Sequence, residues 1–246
     1  MEQSNIVSWE RIGEVGILSI SNDKKNYLNQ PDFIELDKLK YWTEEKDLKG
    51  IIIRGIGRNF SAGADVDNLQ ELAKDQKNLF NKMNLGKKIL DFIEDINLPV
   101  IAAINGACFG GGLEIALACS MRVASPKSLF AFPEINHGLI PGLGGTYRLT
   151  QLLGKKSFEL ILNADLVNAS DAEKLGLVDY ISETKDAFEF AKEKLDSMIS
   201  DRSVEVIRSA MQAINNTGKL SKNEALIAET ELFCKLAVDV KLHRQE

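Results

Sequence analysis

Asn105-Gly-Ala-Cys-Phe-Gly-Gly-Gly-Leu-Glu114, continued by Ile115-Ala-Leu-Ala-Cys119, is the stretch on which the fold of this 246-residue chain turns. It follows Pro99 and the apolar run Val100-Ile-Ala-Ala-Ile104, which reads as a strand covered on both faces. It then enters an apolar segment that suits a buried helix. Three consecutive glycines at such a strand-to-helix turn leave backbone N–H groups bare, at the end of a helix that favours negative charge. A phosphate-binding loop would place Gly-Lys-Ser/Thr after the glycines, whereas here Gly112 is followed by Leu113 and Glu114. A carboxylate there repels phosphate. It is compatible with an oxyanion or enolate held at the N–H groups while the acid handles a proton or water.

Outward from this window the chain reads as alternating strands and helices. Short strands are expected at 6–10 and 15–20, split by a turn at Gly13, and a further buried strand at Gly50–Arg54. Phe33, Leu36, Leu39 and Trp42 recur at helical spacing from Asp32 onward, and Leu69 to Ile93 forms a helical stretch with a break expected near Gly86. Gly106, Gly110, Gly111, Gly112, Gly138, Gly142, Gly144 and Gly145 make eight of the chain's 18 glycines, so backbone in this span must approach something closely or adopt dihedrals that side chains forbid. After Gly154 the pattern becomes helix upon helix, at 156–164, 170–176 with Ser170 as N-cap, 186–200, 203–216 and 221–240. The fold class is α/β, with an α/β portion of about 150 residues carrying a helical C-terminal portion.

Composition excludes several classes of function. Hydrophobic residues are 44% and charged residues 27%, the balance of a packed soluble domain. A net charge of −6 offers no general attraction to nucleic acid or anionic membrane. Cys108, Cys119 and Cys234 are sparse and lack metal-ligand spacing, arguing against a disulfide framework and a structural zinc site; they and His137 read as structural. No secretory or transit signal and no membrane-spanning run is legible, so the cytoplasm is the expected compartment.

Two further windows carry chemistry. Arg58-Asn-Phe-Ser-Ala-Gly-Ala-Asp65 follows a strand and could supply an N–H donor at Ala64. Leu129-Phe-Ala-Phe-Pro-Glu134-Ile-Asn-His-Gly-Leu-Ile-Pro-Gly-Leu-Gly-Gly145 sets one carboxylate among apolar residues, the condition that raises its pKa towards that of a general acid. Each window alone is weak, since a glycine run is more often a turn and a glutamate more often solvated.

Their joint order resembles the enoyl-CoA hydratase/isomerase family, the crotonases. The resemblance rests on Asn59–Val66, Pro99–Glu114, Phe132–Leu149 and Ala172–Val178, and extends from about Val15 to Leu236. It implies a ββα superhelical core over residues 1–185 and a helical trimerisation region over 186–246. It implies an acyl-CoA substrate, Ala64 and Gly111 as oxyanion N–H donors, Glu114 and Glu134 as the two catalytic acids, and Ala62, Asp65, Val66, Gly110 and Lys24 (with Lys25) beside the substrate. Retention of both acids favours a hydratase over an isomerase or a carrier-bound polyketide dehydratase; a non-catalytic or RNA-binding relative is the alternative of another class. No metal or cofactor is implied, CoA being part of the substrate. Expected partners are copies of the chain, as a homotrimer or dimer of trimers, and an acyl carrier protein. Two departures stand out: Asp67 replaces a Lys common in the family beside the CoA path, and the chain ends at Glu246, soon after its last helix.

Overall fold

The computed structural model describes residues 6–183 and 186–238. Strands β1 (Val7–Ile12) and β2 (Val15–Ile20) form an antiparallel hairpin around Gly13, whose φ of +61° suits glycine. Helix α1 (Leu36–Thr43) leads to β3 (Gly50–Gly55), which lies parallel to β2. Helices α2 (Val66–Ala73) and α3 (Gln76–Asp95) precede β4 (Val100–Ile104), and β4 turns through β5 (Ala107–Phe109) into α4 (Gly111–Leu117). Strands β6 (Met121–Ala124) and β7 (Leu129–Ala131) follow, then a 3-10 turn over Pro133–His137. The remaining elements are α5 (Gly145–Leu153), α6 (Ser157–Leu162), β8 (Val167–Asn168), α7 (Ala169–Leu175), β9 (Tyr180–Ile181), α8 (Ala187–Ile199), α9 (Val204–Asn216) and α10 (Lys222–Ala237).

Two sheets result. The larger runs β1-β2-β3-β4-β6-β9 and is parallel beyond the first hairpin; the smaller runs β5-β7-β8. Ile17, Ile52, Ile101 and Val123 on successive large-sheet strands are all at most 1% exposed, as continuous apolar runs in a parallel sheet require. A parallel bridge between Ser61 and Cys108 ties the loop after β3 to the small sheet, and this junction positions the site.

Several boundaries differ from the sequence expectation. Helix α1 begins at Leu36 rather than Asp32, because the Asp32 carboxylate pairs with Lys82 of α3 at 3.1 Å. The long helical stretch breaks at Lys74–Asp75, where the Asp75 side chain caps α3 by accepting from the Asn78 N–H, and α3 runs unbroken through Gly86. Helix α7 is capped by Asn168, which accepts from the Asp171 N–H, so Ser170 lies inside the first turn. Strands β8 and β9 carry sheet structure past Gly154, and α8 packs on the large sheet, with Leu195 fully buried against Gly50. Helix α10 buries none of its residues, and positions 239–240 of the expected last helix lie outside the described residues.

Gly86 shows why α3 tolerates a glycine. A Cβ there would sit 2.5 Å from the Pro31 carbonyl oxygen and 2.7 Å from Leu143 Cδ2. Helix propensity alone favours Gly86→Ala by about 1 kcal/mol, but the steric clash should outweigh it. Urea unfolding of Gly86→Ala is therefore expected to show a net loss of roughly 1–3 kcal/mol.

Candidate active site

Glu114 sits in the first turn of α4 and is 2% exposed. Its Oε1 accepts two backbone hydrogen bonds, from the N–H of Leu143 and of Gly145, both at 2.7 Å. Burial pushes its pKa up, opposed by those two N–H donors and by the charges of Arg148 and Lys87. Gly145 has to be glycine for this, since a Cβ would stand 2.9 Å from Glu114 Oε1 and 2.8 Å from the Phe132 ring.

Glu134 projects from the 3-10 turn that Pro133 opens. Its Oε2 is buried and has no hydrogen-bond partner. Burial, reinforced by the nearby Glu114 charge, pushes its carboxyl up to about 7. Gly110, with φ of +47°, passes directly beneath it, and a Cβ there would be 2.7 Å from Glu134 Oε1. The Gly110 N–H donates to Ala131 O at 3.0 Å, which fixes the turn between β5 and α4.

The next N–H, of Gly111, enters none of the hydrogen bonds among the described residues, and neither does that of Ala64. On either side of Ala64, the Leu28 N–H donates to Gly63 O and the Asp65 N–H to Leu28 O. Strand alternation then turns the Ala64 N–H away from Leu28. A Cβ on Gly63 would lie 2.7 Å from Phe109 O and 3.3 Å from the Gly111 nitrogen, so the two unpaired N–H groups come from chain segments in contact.

Ala64, Gly111, Glu114 and Glu134 all line one cavity of about 400 Å³, otherwise walled largely by apolar side chains such as Leu28, Leu69, Met83 and Leu143. A second cavity of about 420 Å³ shares Ala64, Val66, Glu134 and His137 with it and opens towards Lys25, Tyr27 and Asn59. Of the remaining expected residues, Ala62 and Gly110 line the second cavity, Asp65 the first and Val66 both. Asp65 also caps α2, accepting from the Asp67 N–H at 3.0 Å. Lys24 lines neither cavity: its side chain is exposed and its carbonyl accepts from Asn59, whereas its neighbour Lys25 lines the second. Asp67 is exposed on α2 and outside both linings.

His137, read from sequence as structural, is an exposed residue lining both cavities. Cys108 and Cys119 are buried, with burial raising both thiol pKa values, but Cys234 is exposed. Sequence reasoning missed the Leu143 and Gly145 N–H groups and the Arg148 behind them. The signal was Gly142-Leu-Gly-Gly145, whose glycines mark close backbone approach.

Residues 13–244 match the family model described as enoyl-CoA hydratase/isomerase. The chain is similar to a short-chain-enoyl-CoA hydratase of Clostridium acetobutylicum, at 35% identity covering 95% of this chain and 89% of that protein. It is also similar to a crotonyl-CoA hydratase of Syntrophomonas wolfei, at 32% identity covering 95% and 90%. Among solved structures, an enoyl-CoA hydratase from Thermoplasma volcanium superposes with a TM-score of 0.82 at 28% identity, covering 96% of this chain and 94% of that one. The chain belongs to the enoyl-CoA hydratase/isomerase family, and its fold is the crotonase fold expected from the sequence motifs.

A neutral Glu134 is the form the fold prefers, since its folded pKa of about 7 exceeds the unfolded value of 4.5. The folded state therefore holds more protons between those two values, and stability falls as pH rises through that window. Glu134→Gln removes the buried charge. Thermal melts at pH 8 should show this variant more stable than wild type, by roughly 3 kcal/mol, with the difference vanishing near pH 4.

Proposed function

We propose that this family member is an enoyl-CoA hydratase, adding water reversibly and with syn geometry to a 2-enoyl-CoA to give a 3-hydroxyacyl-CoA. The observation that carries this reading is the pair of carboxyls, Glu114 and Glu134, opening into one cavity beside two unpaired backbone N–H groups. The β-carbon of an enoyl thioester is electrophilic only to the extent that its carbonyl oxygen accepts charge. In the proposed mechanism the Ala64 and Gly111 N–H groups take that charge; one such donor typically contributes about 3 to 4 kcal/mol to a transition state. Glu114, its Oε1 already held by two N–H donors, orients and polarises water with its other oxygen. Glu134, largely neutral near pH 7, gives its proton to the α-carbon as the hydroxyl joins the β-carbon; the proton that water loses passes to the Glu114 carboxylate, and exchange with solvent returns both acids to their starting states.

The larger set of expectations follows the same reading. CoA arrives with the acyl group, and the second cavity, ending at the Lys25 cation, suits the handle of such a substrate. Moving a double bond within the chain needs a single acid and base, so a second buried carboxyl in the same cavity favours hydration over isomerisation. Self-association as a homotrimer or dimer of trimers is supported by Leu226, Ile227 and Phe233, exposed at 51%, 61% and 70% on α10. Among the described residues no helix is long and apolar enough to cross a membrane, and we place the enzyme in the cytoplasm.

Crotonyl-CoA should lose its conjugated absorbance when mixed with the protein, and the same acyl group on a carrier protein tests the alternative handle. Glu134→Gln and Glu114→Gln should each lower turnover by at least roughly 10²-fold while remaining folded by circular dichroism; near wild-type turnover in either variant would remove that residue from the mechanism. Because hydration needs protonated Glu134, its kcat/KM should fall as pH rises through about 7. The overall reaction takes up no proton, so kcat/KM for dehydration of the 3-hydroxyacyl thioester should follow the same profile, the ratio of the two being a pH-independent equilibrium constant. A hydration kcat/KM that stays flat or rises through about pH 7 would contradict the assignment.

A further inference from the structure

We propose that Arg148 is a positioning residue for catalysis: its buried guanidinium fixes residues 143–145 so that their N–H groups hold Glu114 in its ionised, water-orienting state. The proposal rests on the hydratase reading of Glu114. Arg148 lies in the first turn of α5 with a side chain only 5% exposed. Its three nitrogens are all engaged in different directions. Nε donates to Glu94 Oε2 at 2.8 Å, Nη2 to Asp91 Oδ1 at 2.6 Å, and Nη1 to the Leu143 carbonyl at 3.0 Å. Asp91 and Glu94, three residues apart on α3, present one acidic face to a planar fork.

The Leu143 carbonyl belongs to the segment whose own N–H groups, at Leu143 and Gly145, end on Glu114 Oε1. The short loop is thus gripped from both sides, its carbonyl by Arg148 and its N–H groups by Glu114. Gly144 between them has φ of +100°, and a Cβ there would be 2.5 Å from Arg148 Nη1. The guanidinium therefore packs against a left-handed position that glycine tolerates. Helix α3 holds the same loop a second time through the Gly86–Leu143 contact.

A purely mechanical staple would need no charge. Yet the charges facing Glu114 come from three elements: Arg148 on α5 and Lys87 on α3 favour its carboxylate, while Glu134 on the 3-10 turn couples to it with like sign. Asp91 and Glu94 stand behind Arg148, on its far side from the loop, with side chains 65% and 48% exposed. Of the two cations, Arg148 is the one that also hydrogen-bonds, at the Leu143 carbonyl, to the segment carrying those N–H donors.

The test reads Glu114 directly. Titration of ¹³C-labelled glutamate side chains by NMR, with Glu114 assigned through Glu114→Gln, gives its ionisation without any substrate. Arg148→Met should raise the pH at which Glu114 titrates by about one unit or more. It should also lower kcat for crotonyl-CoA roughly 10-fold or more, with KM within about twofold, and move the acid limb of the pH profile upward. Arg148→Lys, which keeps the charge without the fork, should restore part of the pH shift. The double variant Asp91→Asn/Glu94→Gln alters only partly exposed side chains and should fold, with a smaller loss in kcat and a detectable Glu114 shift. An unmoved Glu114 titration in a folded Arg148→Met overturns the proposal. If Arg148→Met does not fold, an unmoved titration in both Arg148→Lys and the double variant overturns it equally. Failure of the wild type to hydrate any enoyl-CoA would instead overturn the hydratase reading, and the NMR titration would still report on Arg148.

Discussion

A carboxylate excluded from water and accepting two peptide N–H bonds is the constraint around which this molecule is arranged. Glu114 cannot be placed at 2% exposure unless its charge is answered, and Leu143 and Gly145 answer it with two 2.7 Å bonds to one oxygen. Two consequences follow for the chain. The helix that bears Glu114 must start where the segment 143–145 can reach it, and that segment must carry no side chain at position 145. The other oxygen of Glu114 is left for chemistry at the cavity. The proposed division of labour between the two acids follows from the difference in their surroundings: Glu114 is ringed by N–H donors and cations, whereas Glu134 has a buried oxygen with no partner at all.

Glycine is the other half of that arrangement. At Gly63 and Gly110 the backbone is left-handed, and any Cβ would collide with a carbonyl or with Glu134 itself. Those two positions bring the loop after β3 against the turn before α4, which is what sets two unpaired N–H groups in one cavity wall. Side chains there would push the segments apart, and the oxyanion contacts proposed here would be lost along with the packing. Conformational freedom given up at these turns is thus spent on backbone geometry that no side chain could reproduce.

Much of this was legible in residues 99–145. An apolar strand running into Gly-Gly-Gly-Leu-Glu marks both the turn and the acid, and Pro133-Glu134 among apolar neighbours marks the second acid. What sequence reading missed was contact between segments distant in the chain. Periodicity carried a helix back to Asp32 because nothing local announces Lys82, fifty residues away, as its partner. Gly86 looked like a helix break because propensity sees a missing side chain, not the Pro31 carbonyl that requires its absence. Lys24 and Lys25 are indistinguishable as letters, and only the path of the loop sends one towards the cavity. Arg148 falls within Phe132–Leu149, yet nothing local gives it a role, since the carboxylates that complete its fork come from α3.

The central claim is geometric: two acids act on adjacent carbons from one face of an alkene while paired main-chain amides hold its thioester oxygen. A crystal structure with acetoacetyl-CoA bound tests it most directly. The account predicts the thioester oxygen within about 3 Å of both the Ala64 and Gly111 nitrogens, with the Glu114 and Glu134 carboxyls each in hydrogen-bond reach of the carbons or oxygen that follow it. A thioester oxygen held by any other group, or either carboxyl turned away from the acyl chain, would contradict it.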